Sequence, residues 1–236
     1  MTQPLITVIT VVWNDVEHIE QTMLSVLNQT YQNVEYIVID GGSTDGTVDI
    51  IRKYADRLAF WCSERDGGIY PAMNKGVTHA TGEWINFMNS GDAFADDKVL
   101  EDLFGTTAIS SNIKLIGGNT IDVFPGGEKL TKACPASSIP THLPFSHQAT
   151  LVRREFCWFD LQYRYSADYA LFYDIYFKYG EQSIKIFDRA IARYRQEESL
   201  TMNPANQKKI KGEYLRIQRK HPSLHWVKEY IKWRWR

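Results

Sequence analysis

Eight consecutive residues near the start of the chain, Leu5-Ile-Thr-Val-Ile-Thr-Val-Val12, are β-branched or apolar and carry no helical period. Such a run reads as a strand buried on both faces, the situation met in a parallel sheet whose crossovers are helices. The residues that follow supply the helices. Ile19, Met23, Val26 and Leu27 share one helical face over residues 18–28. A second strand at 36–39 runs through Asp40-Gly-Gly-Ser-Thr-Asp-Gly46 into a helix holding Ile50, Ile51 and Tyr54. A strand at 58–62, a Gly-rich turn at Asp66-Gly67-Gly68, a helix over 70–79 and a strand at 84–88 continue the rhythm. Strand and helix in alternation predict an α/β fold with a mostly parallel central sheet flanked by helices.

Beyond Phe104 the alternation loosens. A strand is expected at 115–121, a turn at 124–127 and a Pro/Ser/Thr-rich loop at 134–144, placed as a mobile loop or lid. Helical spacing resumes at 168–179, strands follow at 183–187 and 190–194, and a polar helix covers 206–220.

At 236 residues and 44% hydrophobic composition, one substantial core with a small appendage fits better than two full domains. Cys62, Cys134 and Cys157 are too far apart for a C-x-x-C pair, so neither a zinc cage nor a disulfide framework is indicated. The Met-Thr-Gln-Pro start lacks the regions of a signal peptide, and no run approaches the roughly 18–20 apolar residues of a membrane span. A cytoplasmic protein is therefore expected. The net charge of −1 hides an asymmetry, with ten Lys/Arg against two Asp/Glu from Lys208 to Arg236 and 17 against 26 before it. This basic tail on an acidic body calls for an anionic partner. Nucleic acid is disfavoured, because the rest is acidic and no recognition motif is present.

In an open α/β sheet, ligands bind where loops converge at the carboxyl ends of the strands. Those ends carry Trp13-Asn14-Asp15, Asp40-Gly41-Gly42, Ser63-Glu64-Arg65-Asp66 and Asn89-Ser90-Gly91-Asp92. Asp, Asn and Gly are ordinary turn residues after any one strand; four such ends in succession suit a ribose and a diphosphate held through a divalent cation. A dinucleotide-binding G-x-G-x-x-G is missing, since the turn after the first strand has no glycine and Gly41, Gly42 and Gly46 are wrongly spaced. No G-x-x-x-x-G-K-[ST] phosphate loop occurs either.

Several runs in order resemble one known family. They are Ile6 to Asn14, Ser25 to Thr30, Glu35 to Thr47, Ser63 to Tyr70, Ala72-Met-Asn-Lys-Gly76 and Ala80-Thr-Gly-Glu-Trp-Ile85. Together they are similar to family 2 glycosyltransferases of the GT-A fold, within that family to enzymes of bacterial exopolysaccharide synthesis such as those building colanic acid. The match is dense to about residue 92 and patchier to about 200. The resemblance implies a glycosyltransferase domain over residues 1–200, with a nucleotide-sugar-binding half at 1–104 and an acceptor-binding half at 105–200. Residues 201–236 would form a basic, amphipathic helical tail.

Roles follow from the resemblance position by position. Asp40 would accept hydrogen bonds from the nucleoside, with Gly41 standing where many members carry a second acidic residue, so that uridine is preferred over guanosine without being settled. Asp66, Ser90, Asn74 and Lys75 would border the donor. Asp92 would be the main carboxylate for Mn²⁺ or Mg²⁺, because Asn89 and Gly91 occupy the usual first acidic positions. Asp168, opening a helix, aligns with the catalytic base, chosen over Asp174. His147 and Gln148 would border the donor or acceptor, and Arg193 or Arg195 would face the leaving diphosphate. The implied partners are a nucleotide-sugar donor, a lipid-linked oligosaccharide acceptor and an anionic membrane surface reached through Trp226, Lys228, Lys232, Trp233, Arg234, Trp235 and Arg236. A non-catalytic nucleotide-sugar- or carbohydrate-binding protein and a nucleotidyltransferase are the alternatives.

Overall fold

A computed structural model describes residues 3–105, 108–196, 203–222 and 224–234, without the side chains of Leu224, His225 and Lys228. Trp235 and Arg236 of the basic tail thus lie outside the described residues. The Leu5–Val12 run forms β1 (Ile6–Val12), in which every residue is buried. It pairs in parallel with β2 (Val34–Asp40) on one side and β4 (Trp84–Phe87) on the other, and β2 pairs in parallel with β3 (Phe60–Ser63). Between these strands run α1 (Ile19–Leu27), α2 (Thr47–Lys53) and α3 (Ile69–His79). The spatial order β3-β2-β1-β4 reverses the chain's direction of travel between β1 and β4. This reversal opens a crevice at their carboxyl ends, where Asp15 and Asp92 follow.

The second part of the chain extends the same sheet. β4 is joined in antiparallel fashion to β8 (Thr150–Arg153), which pairs with β6 (Leu115–Phe124). β6 runs parallel to β9 (Ile184–Arg195), which holds β5 (Ala93–Phe94) at the far edge. The short helix α4 (Val99–Phe104) buries four apolar residues, with Phe104 against Tyr31 and Trp84. One apolar cluster fills each face of the sheet: Ile6, Met23, Trp84 and Leu100 belong to one, and Ile9, Met73, Phe159 and Tyr173 to the other. The helix α5 (Ala167–Tyr179) closes the second face. After it come α6 (Pro204–Gln218) and α7 (Leu224–Arg234). Among the described residues no helix is long and apolar enough to cross a membrane.

Three expectations are corrected. The strands expected at 183–187 and 190–194 are one strand, because register shifts at Gly118/Asn119 and Asn119/Thr120 of β6 absorb the irregularity opposite Asp188 and Arg189. The turn at 124–127 belongs to a hairpin, since Gly127–Thr131 is a further strand, β7, paired with β6. The 134–144 segment is not a free lid. Ile139 is fully buried in the core, and its carbonyl accepts the Tyr169 hydroxyl at 2.7 Å.

Candidate active site

The first three strand ends form a cradle. Asn14 adopts a left-handed φ of 50°, a conformation asparagine tolerates better than most residues. In that pose its N–H donates to Ser43 Oγ at 2.7 Å, and its Oδ1 accepts the Thr44 N–H at 2.8 Å. The loops so laced enclose a cavity of about 340 Å³ between Trp13, Asn14, Gly41, Gly42, Arg65 and Asp66. A Cβ at Gly41 would lie 2.9 Å from Asp66 Oδ2 and 3.4 Å from Trp13 Cβ, so the absent side chain is what keeps the cradle open.

Asp40 sits behind this cradle rather than in it. Its side chain is 0% exposed, and its carboxylate accepts the Gly42 and Ser43 N–H groups and the hydroxyls of Ser43 and Ser63, at 2.5–3.0 Å. Four donors fill the acceptor capacity of a carboxylate. The direct nucleoside contact expected of Asp40 is therefore corrected: the residue shapes the loop, and Asp66 is the acid that faces the cavity.

Asn74 and Lys75 are likewise displaced from the donor. Asn74 is buried, donating Nδ2 to the Phe159 carbonyl at 2.8 Å and accepting the Phe159 N–H at 2.9 Å. Lys75 is paired with Glu64 at 2.8 Å, and the bond holds the carboxyl of the exposed Glu64 below its usual range. Asn74→Ala should destabilise the fold by about 1–3 kcal/mol, because two buried backbone groups lose their partner. Urea unfolding measures this, and an unchanged midpoint would return Asn74 to a surface role.

The crevice between β1 and β4 opens into a larger cavity of about 560 Å³, lined by Asp15, Ser90, Asp92, His147, Gln148 and Asp168 among others. One loop links it to the cradle, since Asn14 lines one cavity and Asp15 the other. The 89–92 turn is set by Thr22 of α1, whose hydroxyl donates to the Asp92 carbonyl at 2.7 Å and accepts the Gly91 N–H at 3.1 Å. Gly91 has a φ of 91°, which favours glycine here.

Asp92 is 5% exposed; its Oδ2 accepts Gln148 Nε2 at 2.8 Å and its Oδ1 the Arg195 N–H at 3.0 Å. Burial pushes its carboxyl up to about 6, outweighing those two bonds, and the nearby Asp15 carboxylate acts in the same direction. Asp15 accepts Ser90 Oγ at 2.6 Å on Oδ2 and meets His18 Nδ1 at 2.5 Å on Oδ1. Among the described residues no group of three or more His, Cys, Asp or Glu forms a metal cage. Two carboxylates and a hydroxyl around Gly91 nevertheless fit a hard cation that draws its remaining ligands from diphosphate oxygens and water.

Asp168 faces the same cavity and is 8% exposed. Its Oδ1 accepts the Tyr169 N–H at 2.8 Å and the Tyr70 hydroxyl at 3.1 Å. Burial, reinforced by the Asp168 charge, holds the Tyr70 phenol well above its usual range, so Tyr70 stays a donor. Among the described residues, Asp168 Oδ2 has only His147 Nδ1, at 3.5 Å. On its other side His147 Nε2 lies 2.9 Å from Asn89 Nδ2, and with that amide donating, the imidazole proton sits on Nδ1 toward Asp168. Asp174 points away into a 2.8 Å pair with Lys220. Arg195 lines the cavity, whereas Arg193 is engaged by Glu128 of β7. Among the described residues, the buried oxygens Asn89 Oδ1 and Gln148 Oε1 have no hydrogen-bond partner, leaving acceptors for a polyhydroxylated ligand.

The structure thus gathers Asp92, Ser90, His147, Gln148, Arg195 and Asp168 in one cavity, puts Gly41 and Asp66 in the cradle, and leaves Asp40, Asn74, Lys75 and Arg193 outside both. Asp15 and Tyr70 received no role from the sequence. Asp15 was legible as a carboxylate at the first strand end; nothing around Tyr70 in sequence points to Asp168, 98 residues away.

Residues 7–109 match the model of glycosyl transferase family 2. An uncharacterized glycosyltransferase of Mycobacterium tuberculosis (strain CDC 1551 / Oshkosh) is 34% identical over 135 residues, 57% of this chain and 52% of the relative. The chain spans about half the length of that curated relative. S. aureus TarS 1-349 in complex with UDP-GlcNAc superposes with a TM-score of 0.70 at 18% identity, over 90% of this chain and 66% of that one. The mannosyltransferase PcManGT from Pyrobaculum calidifontis, in complex with GDP-Man and Mn²⁺, gives a TM-score of 0.67 at 17% identity, over 92% and 64%. At such identities these two structures establish the fold alone.

Proposed function

We propose, from the match of residues 7–109 to glycosyl transferase family 2 and from the GT-A fold, that the chain is an inverting glycosyltransferase moving a sugar from a nucleotide diphosphate donor to an acceptor hydroxyl. The observation that carries this reading is the single cavity lined both by Asp168, with its lightly engaged Oδ2, and by the Asp15 and Asp92 carboxylates, next to the Gly41 and Asp66 cradle. The nucleoside lies in the cradle, with a UDP-sugar favoured over a GDP-sugar. Asp92, with Asp15, holds Mn²⁺ or Mg²⁺. A bound divalent cation spreads the charge of the departing diphosphate.

Asp168 Oδ2 takes the acceptor hydroxyl proton as the acceptor oxygen bonds to the anomeric carbon, on the face opposite the breaking bond to the diphosphate. His147 keeps that carboxylate oriented, and Arg195 faces the leaving group. The acceptor is a lipid-linked oligosaccharide of bacterial cell-surface polysaccharide synthesis, met on the cytoplasmic side of the membrane. The tail contributes the exposed Val227 and Ile231, together with Lys232, toward an anionic leaflet.

A panel of UDP- and GDP-sugars, screened by thermal shift with Mn²⁺ present and followed for donor hydrolysis, tests this reading. At least one sugar nucleotide should raise the melting temperature and turn over to nucleoside diphosphate, and Gly41→Val should lose both by crowding Asp66. Stabilisation without turnover would identify a binding module, and release of pyrophosphate a nucleotidyltransferase. No shift with any member of the panel would defeat the proposal.

A further inference from the structure

A second groove, of about 860 Å³, runs between the Arg164–Tyr165 segment, α6 and α7. Six cations line it: Arg164, Lys208, Lys209, Arg216, Arg219 and Arg234. None of the six has a carboxylate partner among the described residues, although Lys209 and Arg164 lie 5.9 and 6.0 Å from the Tyr165 ring. By contrast, among the described side chains, Lys211 of α6 and Lys232 of α7 are paired with Glu229, at 2.7 and 2.9 Å, and Lys220, just past α6, with Asp174. The one acid in the groove, Glu213, is spent, because its two oxygens accept the N–H groups of Arg164 and Tyr165 at 2.9 Å each. So many unpaired cations on one concave surface repel one another unless a multiply charged anion sits between them.

The opposite wall is apolar. Trp226 and Tyr230 stack at 5.1 Å, Trp233 packs on Gly212 of α6, and the Trp226 indole N–H donates to the Leu215 carbonyl at 2.7 Å. Trp226 and Trp233, which the sequence placed toward a membrane surface, thus face α6. Cations on one wall and aromatic rings on the other suit an amphiphile with a phosphate group at the end of an apolar chain. Arg164 and Tyr165 line both this groove and the Asp168 cavity, so the two are adjoining compartments on the same side of the base.

We propose that this groove binds the diphosphate and the first isoprene units of a lipid-linked acceptor, so that the acceptor sugar reaches Asp168 with its anionic stem anchored on α6 and α7. The proposal rests on the glycosyl-transfer reading of the neighbouring cavity, but its ligand can be tested separately. Farnesyl diphosphate is titrated calorimetrically in chelator, so that the cation-dependent donor site contributes no affinity. Wild type should bind, and Arg216→Glu/Arg219→Glu should weaken binding roughly 10-fold or more, the range for lost charge-assisted hydrogen bonds. Lys208→Gln should weaken it less, and the remote pair Lys53→Glu/Lys98→Glu not at all. Donor hydrolysis with Mn²⁺ should be unchanged in the Arg216/Arg219 variant, showing that its fold and donor site are intact.

Absence of farnesyl diphosphate binding in wild type, or equal affinity in the Arg216/Arg219 variant, overturns the assignment. Phosphatidylglycerol vesicles without diphosphate form the second arm. If the variant loses these vesicles as completely as it loses the diphosphate, the groove recognises a bulk anionic surface and the proposal fails. Donor hydrolysis missing from wild type would count against the transferase reading, while the calorimetric arm still decides the groove.

Discussion

Asp168→Asn is expected to lower kcat for transfer by roughly 10²-fold or more while leaving the donor affinity close to wild type. The substitution is nearly isosteric. An amide oxygen in the Oδ1 position still accepts from Tyr169 and Tyr70, so the first turn of α5 keeps both of its bonds. What is lost is the basicity of the other atom, 3.5 Å from His147 Nδ1, which in the wild type can take a proton. Single-turnover kinetics and donor titration separate the two effects. A variant that loses donor binding together with its melting transition would show Asp168 to be a packing residue. Raising the pH should not rescue it, since an amide acquires no base at any accessible pH.

Asp92→Asn should have two opposed effects of comparable size. With the main carboxylate gone, cation-dependent donor stabilisation and nearly all transfer should disappear. Without metal, the same variant should be more stable than wild type at neutral pH. The ordinary carboxyl value for aspartate is 3.8, and burial raises that of Asp92 to about 6. Between those values the folded state binds more protons than the unfolded one, so stability falls as pH rises through the window. Above about 6 the wild type carries the full cost of the buried charge, on the order of 2–3 kcal/mol for a displacement of this size.

An amide carries no such charge, and Gln148 has an unpartnered Oε1 that a flip of its side chain would present to the new N–H. The gain from Asp92→Asn should therefore be small near pH 4 and nearly complete by pH 7.5, as read by denaturant unfolding in chelator. A gain that is the same at both pH values would mean that the buried charge is not its source.

The parallel β/α half was readable because its signals are local and repeated. β1, β2, β4 and their helices fall within a few residues of the expected bounds, each marked by a β-branched run or a 3.6-residue period. β8 went unseen because Thr150–Arg153 is only four residues long, and its place in the sheet depends on pairing with β4 and β6. The division of β9 into two strands failed for a similar reason, since the partner that keeps it continuous across its bulge, β6, lies some 70 residues earlier.

Within the site, sequence indicated which residue types stand at strand ends, Asp92 among them, while Asp168, in the first turn of α5, was picked out only by the family resemblance. It did not reveal which lone pairs other groups had already taken. Asp40 is consumed by Ser63, 23 residues on, as well as by its own loop, and Asn74 by Phe159, 85 residues on. These partners are set by packing, and no spacing rule anticipates them.

The join between β4 and β8 is narrow. β4 meets β8 through only Trp84 opposite Arg153 and Ile85 opposite Val152, and the Asn86 amide seals the join by donating to the Gln148 and Thr150 carbonyls at 3.0 and 2.8 Å. Residues 7–109, the stretch matched by the family model, end before the partner strand begins. The chain is therefore built for exchange of parts. A foreign C-terminal portion that keeps an acceptor pair for Asn86, an amide in the Gln148 position and a strand edge for β5 would inherit the Gly41–Asp66 cradle intact. Chimaeras spliced in the 105–114 segment are the natural unit for redirecting such a protein, in preference to point changes within the crevice.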